Sequence, residues 1–403
     1  MGGGLMQLVA YGAQDVYLTG NPQITFFKLV YRRHTNFACE AIEQTFNGSV
    51  NFGSRATATI SRNGDRITNC WVEMTLPAQN APSVSGTAQN WVNCVGHRLL
   101  EEVELEIGGQ RIDKHYADWL EIWSELTLPA EKRDGYKQMI GKFDSGTGLD
   151  ATSEQKLYVP LVFFFNRNPG LALPLIALQY HEVKINVKFA SLSSVANNIE
   201  TPSGSLEAKM FVDYVYLDTD ERRRFAQMSH ELLIEQLQFT GDEAVTGINN
   251  KVRLNFNHPV KELVWVFKGD STDADTDPFD YSLGTNADDI DPDDTDSVDP
   301  LASAKLLLNG HDRFTERDAK YFRLVQPYQH HTCVPRRAIY SYSFALKPEE
   351  HQPSGTCNFS RIDNATLALT MAQSHNQEKV KVFATNFNVL RIMSGMGGLA
   401  YSN

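Results

Sequence analysis

The residues best suited to chemistry are twelve aspartates that lie between Gly269 and Asp299. Asp273, Asp275 and Asp277 have the alternate spacing that begins a calcium-binding EF-hand loop, but the glycine and glutamate required later in that loop are absent. A second triplet fails in the same way: Asp289, Asp291 and Asp293. Because like charges repel and cannot be buried unpaired, we predict a loop that extends into solvent. Loose binding of divalent cations stays open as the alternative.

Two histidine-containing segments could supply zinc ligands. The segment "HELLIE" starts at His230 like a zinc-protease helix, yet its second histidine is missing and Glu235 lies one residue past that position. His330, His331 and Cys333 are close in sequence, but no second pair of ligands has zinc spacing. We therefore interpret His330 and His331 as a solvent-exposed pair in a loop.

Other possible sites have simpler structural interpretations. Serine, histidine and aspartate are present without a nucleophile elbow, and the closing "SGMGGLAY" lacks the strand-then-helix context of a phosphate-binding loop. We interpret its glycines as allowing the C-terminal segment to turn tightly against a neighbour. Phe163, Phe164 and Phe165 are predicted to form a buried strand, and His181 a strand-edge residue satisfied by hydrogen bonds. We predict no catalytic, cofactor-binding or metal-binding residue, and no enzyme activity.

Charge and composition exclude further classes of function. The net charge is −12, and without the twelve aspartates the 37 basic residues would be balanced by the remaining acidic ones. A polyanion-binding protein needs a basic surface, so direct binding of nucleic acid is not expected. The run from Arg222 to Arg224 instead suggests interface or linker contacts. The opening residues lack the features of a secretory signal, and no apolar run is long enough to insert in a membrane. The five cysteines have no disulfide-framework spacing, so we expect reduced thiols in a cytosolic setting.

Alternating apolar and polar residues predict many short strands, typical of an all-β sandwich or barrel. The clearest segments are "CWVEMTL", "EEVELEI", "EVKINVKF" and "KVRLNFN". Three dipeptides are candidate hairpin turns: Asn63-Gly64, Gly108-Gly109 and Asn309-Gly310. Apolar residues at helical spacing predict a helix between Tyr116 and Leu126.

The order of these elements is repeated along the chain. The segment "EEVELEIGGQRIDKHYADW" is echoed by "SAKLLLNGHDRFTERDAKYF", and "FFFNRNPGLALPLIAL" by "YSFALKPEEHQPSGTCNFSRI". We interpret the chain as two tandem copies of one β domain, joined between Asp218 and His230. The aspartate-rich stretch then occupies an inter-strand loop that matches "AQNAPSVSGTAQNWVNCVG" of the first copy.

Long segments resemble a known family. The segments "LVAYGAQDVYLTGNPQITFFKLVYRRHTNFACE", "YVPLVFFFNRNPGLALPLIALQYHEVKI" and "SFALKPEEHQPSGTCNFSRIDNATLALT" closely resemble major capsid proteins of large icosahedral DNA viruses, of the algal phycodnavirus type. The resemblance implies two consecutive eight-stranded antiparallel jelly rolls, a double jelly roll, with short helices in the loops. The expected boundaries are an N-terminal arm at 1–26, a first jelly roll at 27–217, a linker at 218–232, and a second jelly roll at 233–403 with an acidic outer loop at 269–299.

The resemblance also implies how the protein would work. A homotrimer of pseudo-hexagonal outline would tile the outer shell of a virion, beside neighbouring capsomers and above minor capsid or cement proteins, after assembly in the host cytoplasm. The arm would run from the base of the barrel to the inside of the shell or to a neighbour. Contact with the host-cell surface is a further expectation. A minor capsid paralogue, or a β-sandwich protein for carbohydrate binding or host attachment, is the alternative.

Two departures from the resembled family concern the outer loops. Chlorovirus relatives carry glycans at unusual Asn-Thr-rich sites, whereas this chain has aspartates, so the glycosylation state is left unknown. Ordinary sequons at Asn47, Asn358 and Asn364 lie in or beside predicted strands and are not expected to be modified. The trimmed loops of the second copy suggest a smoother surface or a paralogue. We expect the aspartate loop to lie on the outer surface, where its charge replaces the solvating role of a glycan.

Overall fold

The computed structural model describes residues 3–78, 90–143, 149–197, 204–269, 277–282 and 299–402. The predicted aspartate triplets therefore lie outside the described residues, except for Asp277. The chain divides into two compact units, Met1–Asn36 and Phe37–Asn403. In the described part of the chain, none of the helices combines the length and apolarity needed to cross a bilayer.

The N-terminal unit is built from short helical segments: α1 (Gly3–Val9), a 3-10 turn (Ala13–Asp15) and α2 (Val16–Thr19). The Asp15 carboxylate accepts a hydrogen bond of 2.7 Å from the backbone N–H of Gly12, which fixes the start of the 3-10 turn. These helices bury none of their residues.

The first half of the larger unit is a sandwich of antiparallel strands. The strands are β1 (Phe37–Gln44), β2 (Phe46–Asn47), β3 (Arg55–Thr59), β4 (Arg66–Leu76), β5 (Asn90–Trp91), β6 (Leu100–Ile107), β7 (Gln110–Tyr116), β8 (Leu149–Asp150), β9 (Gln155–Pro160), β10 (Leu173–Pro174), β11 (Val183–Phe189), β12 (Ala196–Asn197) and β13 (Glu207–Leu217). One sheet has the order β1-β13-β4-β10, with β9 also paired to β4. The other has the order β2-β3-β11-β6-β7, and a small third sheet has the order β12-β5-β8.

Helices fill the ends of this sandwich: α3 (Val95–Leu99), α4 (Ala117–Thr127), α5 (Ala130–Ile140), α6 (Phe164–Arg167) and 3-10 turns at Pro169–Leu171, Leu175–Ala177 and Leu192–Ser194. The helix predicted between Tyr116 and Leu126 is confirmed as α4. The next helix, α7 (Thr219–Gln227), connects the two halves. The Asp218 carboxylate accepts from the backbone N–H of Thr219, and Arg222 Nε lies 2.9 Å from Asp65 Oδ1 in the first sandwich.

The strands of the second half are β14 (His230–Arg253), β15 (Pro259–Lys268), β16 (Leu301–Leu308), β17 (His311–Asp312), β18 (Arg317–Asp318), β19 (Tyr340–Ser343), β20 (Cys357–Asn358), β21 (Ala365–Met393) and β22 (Met396–Leu399). They are joined in one antiparallel sheet of order β17-β16-β21-β15-β19, with β14 and β22 paired to β21, β18 to β16 and β20 to β15. Strands β14 and β21 pair with each other along most of their length, with β-bulges in the pairing. A π-helical turn (Tyr321–Val325) leads directly into α8 (Gln326–His330), and a 3-10 turn covers Phe359–Arg361.

The predicted alternation is confirmed by burial. Cys70, Val72, Met74 and Leu76 of β4 are buried, and β6 and β11 bury every second residue in the same way. One face of each sheet therefore lines a core, which is what period-two patterning requires. In "KVRLNFN" the alternation of burial continues through Phe256, although β14 ends at Arg253.

The predicted internal repeat is confirmed in the order of elements. The hairpin β6–β7 is followed by α4, and the hairpin β16–β17 is followed, after β18, by the helix at 321–330. The turn dipeptides Gly108-Gly109 and Asn309-Gly310 close these two hairpins, and all four residues have positive φ. This conformation favours glycine and asparagine.

Two local predictions are wrong. Asn63-Gly64 does not close a hairpin, because β3 and β4 on either side of it belong to different sheets. Phe163, Phe164 and Phe165 are buried as expected, but they enter helix α6 instead of a strand. The Asn166 side chain accepts from the backbone N–H of Phe163 at 3.0 Å and donates to the backbone oxygen of Thr68, which holds the chain in a turn.

Candidate functional site

The two sandwiches meet along helix α4, where aromatic side chains from both halves pack together. Trp119 lies 5.7 Å from Phe383 between ring centroids, and Tyr116 lies 5.0 Å from Phe239. Phe239 and Phe383 are opposite each other on β14 and β21 and stack at 4.8 Å. Burying such rings stabilises the junction both by the apolar area removed from water and by ring–ring contact.

Asp118, at the start of α4, forms an ion pair across this junction. Its carboxylate accepts from Lys381 Nζ at 2.6 Å and from the Tyr281 hydroxyl at 3.2 Å, and both donors belong to the second half. Burial alone would raise the pKa of Asp118, but the charges of Lys268 and Lys381 lower it to about 2. The carboxylate is thus ionised at neutral pH and ties the two sandwiches together.

Glu121, one turn later in α4, is the centre of a buried charge cluster. His97 Nδ1 lies 2.7 Å from one carboxylate oxygen, while Lys142 Nζ and Arg337 Nε lie 2.8 and 3.2 Å from the other. Burial opposes ionisation, but the cations Lys142 and Arg337 hold the pKa of Glu121 well below its usual range. Lys142 also reaches Glu125 at 2.5 Å.

Arg337 links this cluster to the aspartate-rich stretch. Its Nη2 lies 2.9 Å from Asp277 Oδ2, its Nη1 donates to the backbone oxygen of Phe279, and Asn93 of the first sandwich donates to Asp277 at 3.0 Å. Phe279 and Tyr281 are 0% and 1% exposed.

The prediction of a loop that extends into solvent is therefore wrong for residues 277–282. Arg337 and Asn93 supply the charged and polar partners that allow Asp277 to be buried. The sequence around the aspartates does not indicate Arg337 or Asn93 as their partners. The apolar Phe279 and Tyr281 within the aspartate run are nevertheless a usable signal of a buried segment.

A second ionic cluster includes residues of two segments that the internal repeat matches: Arg167 of "FFFNRNPGLALPLIAL" and His351 of "YSFALKPEEHQPSGTCNFSRI". Glu235 Oε2 lies 2.9 Å from Arg167 Nη1 and 2.8 Å from Lys261 Nζ. Burial alone would raise the pKa of Glu235, but the neighbouring His351, whose Nδ1 lies 3.8 Å away, and the two cations lower it to about 2. The guanidinium of Arg167 also covers the Trp123 ring at 3.7 Å. A cleft of about 500 Å³ opens beside this cluster. "HELLIE" is thus part of strand β14, and its Glu235 takes part in an ion pair.

The solvent-exposed histidine pair is not found. His330 is half-buried, and its Nδ1 lies 2.9 Å from the backbone oxygen of Leu346. The His331 side chain is 1% exposed and lies between Glu262 and Glu349, at 3.3 and 3.0 Å. Burial alone would lower the pKa of His331, but the nearby carboxylates of Glu262 and Glu349 raise it to about 9.

The glycine-rich C-terminal segment makes the expected tight turn. Strands β21 and β22 form a hairpin through Ser394 and Gly395, both of which have positive φ. A Cβ at Gly395 would lie 2.6 Å from the Tyr180 ring, so the hairpin packs closely on the first sandwich of the same chain. His181 Nδ1 lies 2.9 Å from the Gly397 backbone oxygen, which confirms that this histidine is satisfied by a hydrogen bond.

The remaining sequence candidates are spread over the surface and the core. The sequon residues Asn47, Asn358 and Asn364 are exposed, in or directly before a strand, as expected. None of the five cysteines is in a disulfide, and burial raises the pKa of Cys70 to about 12. Within the described ranges, no three His, Cys, Asp or Glu side chains are grouped so that they could hold a metal ion. The site is thus a rigid polar and aromatic junction between two β-sandwiches.

Comparison with known proteins identifies both halves. A family model described as "Major capsid protein N-terminus" matches residues 25–218, and one described as "Large eukaryotic DNA virus major capsid protein" matches residues 221–398. The chain is 55% identical to the major capsid protein of Pyramimonas orientalis virus and 49% identical to that of Paramecium bursaria Chlorella virus 1, with full coverage of all chains.

The solved structures agree with these matches. The crystal structure of VP54 of PBCV-1 superposes with a TM-score of 0.81 at 43% identity, covering 94% of this chain and 100% of that one. The predicted double jelly roll with short helices is confirmed. The two matched models together span nearly the whole chain, residues 25–218 and 221–398. This chain belongs to the family of major capsid proteins of large eukaryotic DNA viruses.

Proposed function

We propose that three copies of this structural capsid protein associate into a capsomer with a pseudo-hexagonal outline, which tiles the icosahedral outer shell of the virion. The observation that supports this most is the tandem repeat: two sandwiches follow each other with matching hairpins and matching helices. Three chains with two similar halves present six similar corners, and closed cyclic oligomers are the common outcome of self-association.

The protein acts by assembly and carries out no chemistry. The charged side chains of the junction are buried in ion pairs, and such pairs are used here to hold two domains in one orientation. A rigid double sandwich multiplies weak contacts with neighbouring capsomers across a lattice. In this proposal minor capsid or cement proteins lie beneath the capsomer, and the N-terminal arm at 1–26 runs to the inside of the shell or to a neighbour. Assembly takes place in the host cytoplasm.

Size-exclusion chromatography with light scattering, followed by negative-stain imaging, tests the trimer. Hexagonal particles of about 136 kDa, three times the chain mass of 45.3 kDa, are expected. Monomers that are retained on a glycan column would instead favour a carbohydrate-binding protein. The number of copies per purified particle separates the dominant capsomer from a minor paralogue.

The acidic stretch at 269–299 lies on the outer surface in this proposal. Limited proteolysis of intact particles tests this, because cleavage is expected on either side of the buried segment 277–282 without prior disassembly. Protection of the whole stretch in particles, with cleavage only after disassembly, would contradict an outer location.

A further inference from the structure

The N-terminal unit, Met1–Asn36, leaves its apolar side chains uncovered. Fourteen of its large apolar residues, from Leu5 to Tyr31, are more than half exposed. All the residues described in this unit are exposed except for the half-buried Asp15, so the unit has no core that these side chains could join. A contiguous apolar surface of this kind marks a site of contact with a protein or with a lipid bilayer.

Two adjacent phenylalanines lie in a turn of this unit. Phe26 and Phe27 are 89% and 98% exposed. The backbone N–H of Phe27 donates to Oγ1 of Thr25 at 3.3 Å, a local hydrogen bond that supports the turn. The turn therefore presents two phenyl rings to the surroundings, and the exposed Leu29 and Tyr31 follow directly.

The basic residues of the unit are close to these rings in sequence. Lys28, Arg32 and Arg33 are exposed, and no acidic residue occurs between Asp15 and Glu40. Three cations and one carboxylate give the unit a net charge of +2, in a chain whose net charge is −12. We call residues 26–33 the basic aromatic segment.

The composition of this segment favours a lipid surface over other partners. Five of the six residues from Phe26 to Tyr31 are apolar, without the alternate or helical spacing that a groove in a partner protein recognises. A bilayer has no fixed pockets and requires no such spacing. Aromatic rings enter the boundary between headgroups and acyl chains, while Lys and Arg keep their charges at the headgroups. Nucleic acid would pair with the cations but would leave the apolar side chains in water.

We propose that the basic aromatic segment binds the surface of an anionic lipid bilayer, where Phe26 and Phe27 enter the headgroup–acyl boundary and Lys28, Arg32 and Arg33 contact lipid phosphates. The segment lies in the interface and does not span the bilayer, because its apolar run is far shorter than the about 20 residues of a transmembrane helix. This contact adds a lipid partner to the proposed function and does not depend on the trimer.

Flotation of the full-length protein with lipid vesicles tests the inference. Wild type is expected to bind vesicles of phosphatidylcholine with about 30% phosphatidylserine at least about tenfold more tightly than pure phosphatidylcholine. Phe26→Ser/Phe27→Ser should weaken binding to the anionic vesicles by about tenfold or more. Lys28→Gln and Arg32→Gln should each weaken it by about fivefold. Raising the salt from about 0.1 M to about 0.5 M should also weaken wild-type binding, because exposed charges are then screened.

Two variants outside the N-terminal unit are matched controls. Leu346→Ser replaces an apolar side chain that is 73% exposed, and Arg223→Gln/Arg224→Gln removes two exposed cations of α7. Both should bind the anionic vesicles as wild type does. The inference is overturned by a wild-type protein that does not float with anionic vesicles, or by a Phe26→Ser/Phe27→Ser protein that floats equally well.

Light scattering of the same proteins separates this inference from the proposed function. A Phe26→Ser/Phe27→Ser protein that keeps its lipid binding but trimerises only at higher concentration would show that the segment covers a protein surface, which overturns the lipid assignment. A monomeric wild type that floats with anionic vesicles would overturn the trimer and support the lipid contact. Because the substituted residues are exposed, thermal unfolding of every variant should match that of wild type.

Discussion

The buried imidazole of His331 makes the stability of the second jelly roll depend on pH. Its two carboxylate neighbours raise the pKa from 6.5 to about 9. A group whose pKa is raised by folding contributes its full stability below the unfolded pKa, and this contribution is lost as the pH rises through the folded pKa. The stabilisation is therefore complete below about pH 6.5 and disappears by about pH 9.

The size of the pH-dependent stabilisation follows from the pKa shift of His331. One pKa unit corresponds to about 1.4 kcal/mol, so the shift of His331 is worth about 3 kcal/mol of unfolding free energy. No discount for solvent screening applies, because the side chain is 1% exposed. Urea unfolding at pH 6 and at pH 9.5 measures it, with the double variant E262Q/H331Q as the reference because it removes the imidazole and one carboxylate together.

The difference in unfolding free energy between wild type and this reference should be about 3 kcal/mol larger at pH 6 than at pH 9.5. His330→Gln is measured alongside as the matched control for the loss of a half-buried histidine side chain, whose Nδ1 lies 2.9 Å from the backbone oxygen of Leu346. An imidazole of His331 that titrates by NMR at or below its ordinary pKa would refute the reasoning.

Three further perturbations test other parts of the structure. Glu121→Gln should lower the unfolding free energy by about 3–5 kcal/mol, because the buried Lys142 and Arg337 each lose one of two carboxylate partners. Glu101→Gln, at a part-exposed pair, should cost under about 1 kcal/mol in the same denaturation assay. Gly395→Ala should speed hydrogen exchange of the C-terminal hairpin more than Gly53→Ala speeds exchange of its own turn. Both glycines have positive φ, but only a Cβ at Gly395 would meet another side chain, the Tyr180 ring. Phe279→Ala should speed proteolytic cleavage within 277–282 and cost about 3–5 kcal/mol; unchanged cleavage would argue against an anchored segment.

Features that depend on local sequence could be predicted, and those that depend on distant partners could not. The alternation in β4, β6 and β11 predicts strands because one face of each must be apolar. The hairpin predicted at Gly108-Gly109 is confirmed because strands β6 and β7 on either side of it pair with each other. Asn63-Gly64 has a similar composition but connects strands of two different sheets. Turn chemistry specifies a bend, and the choice of strand partner is made by the rest of the fold.

The buried ion pairs were beyond local reasoning for the same reason. His331, directly after helix α8, is paired with Glu262 on strand β15, and no pattern around position 331 signals that contact. Asp277 is paired with Arg337 and Asn93, which are distant in sequence. Such pairs can only be recognised once tertiary structure has brought them together.

The anchored segment at 277–282 has a consequence for engineering the particle surface. Foreign peptides displayed on a capsid are usually placed at the tip of a long loop, since such tips tolerate insertion. Here the middle of the aspartate-rich stretch is a fixed point, so a peptide inserted between Asp277 and Ser282 must displace Phe279 and Tyr281 from their pockets. With the outer location proposed above, insertion on either side of this segment would leave these contacts in place and give two separate positions for display.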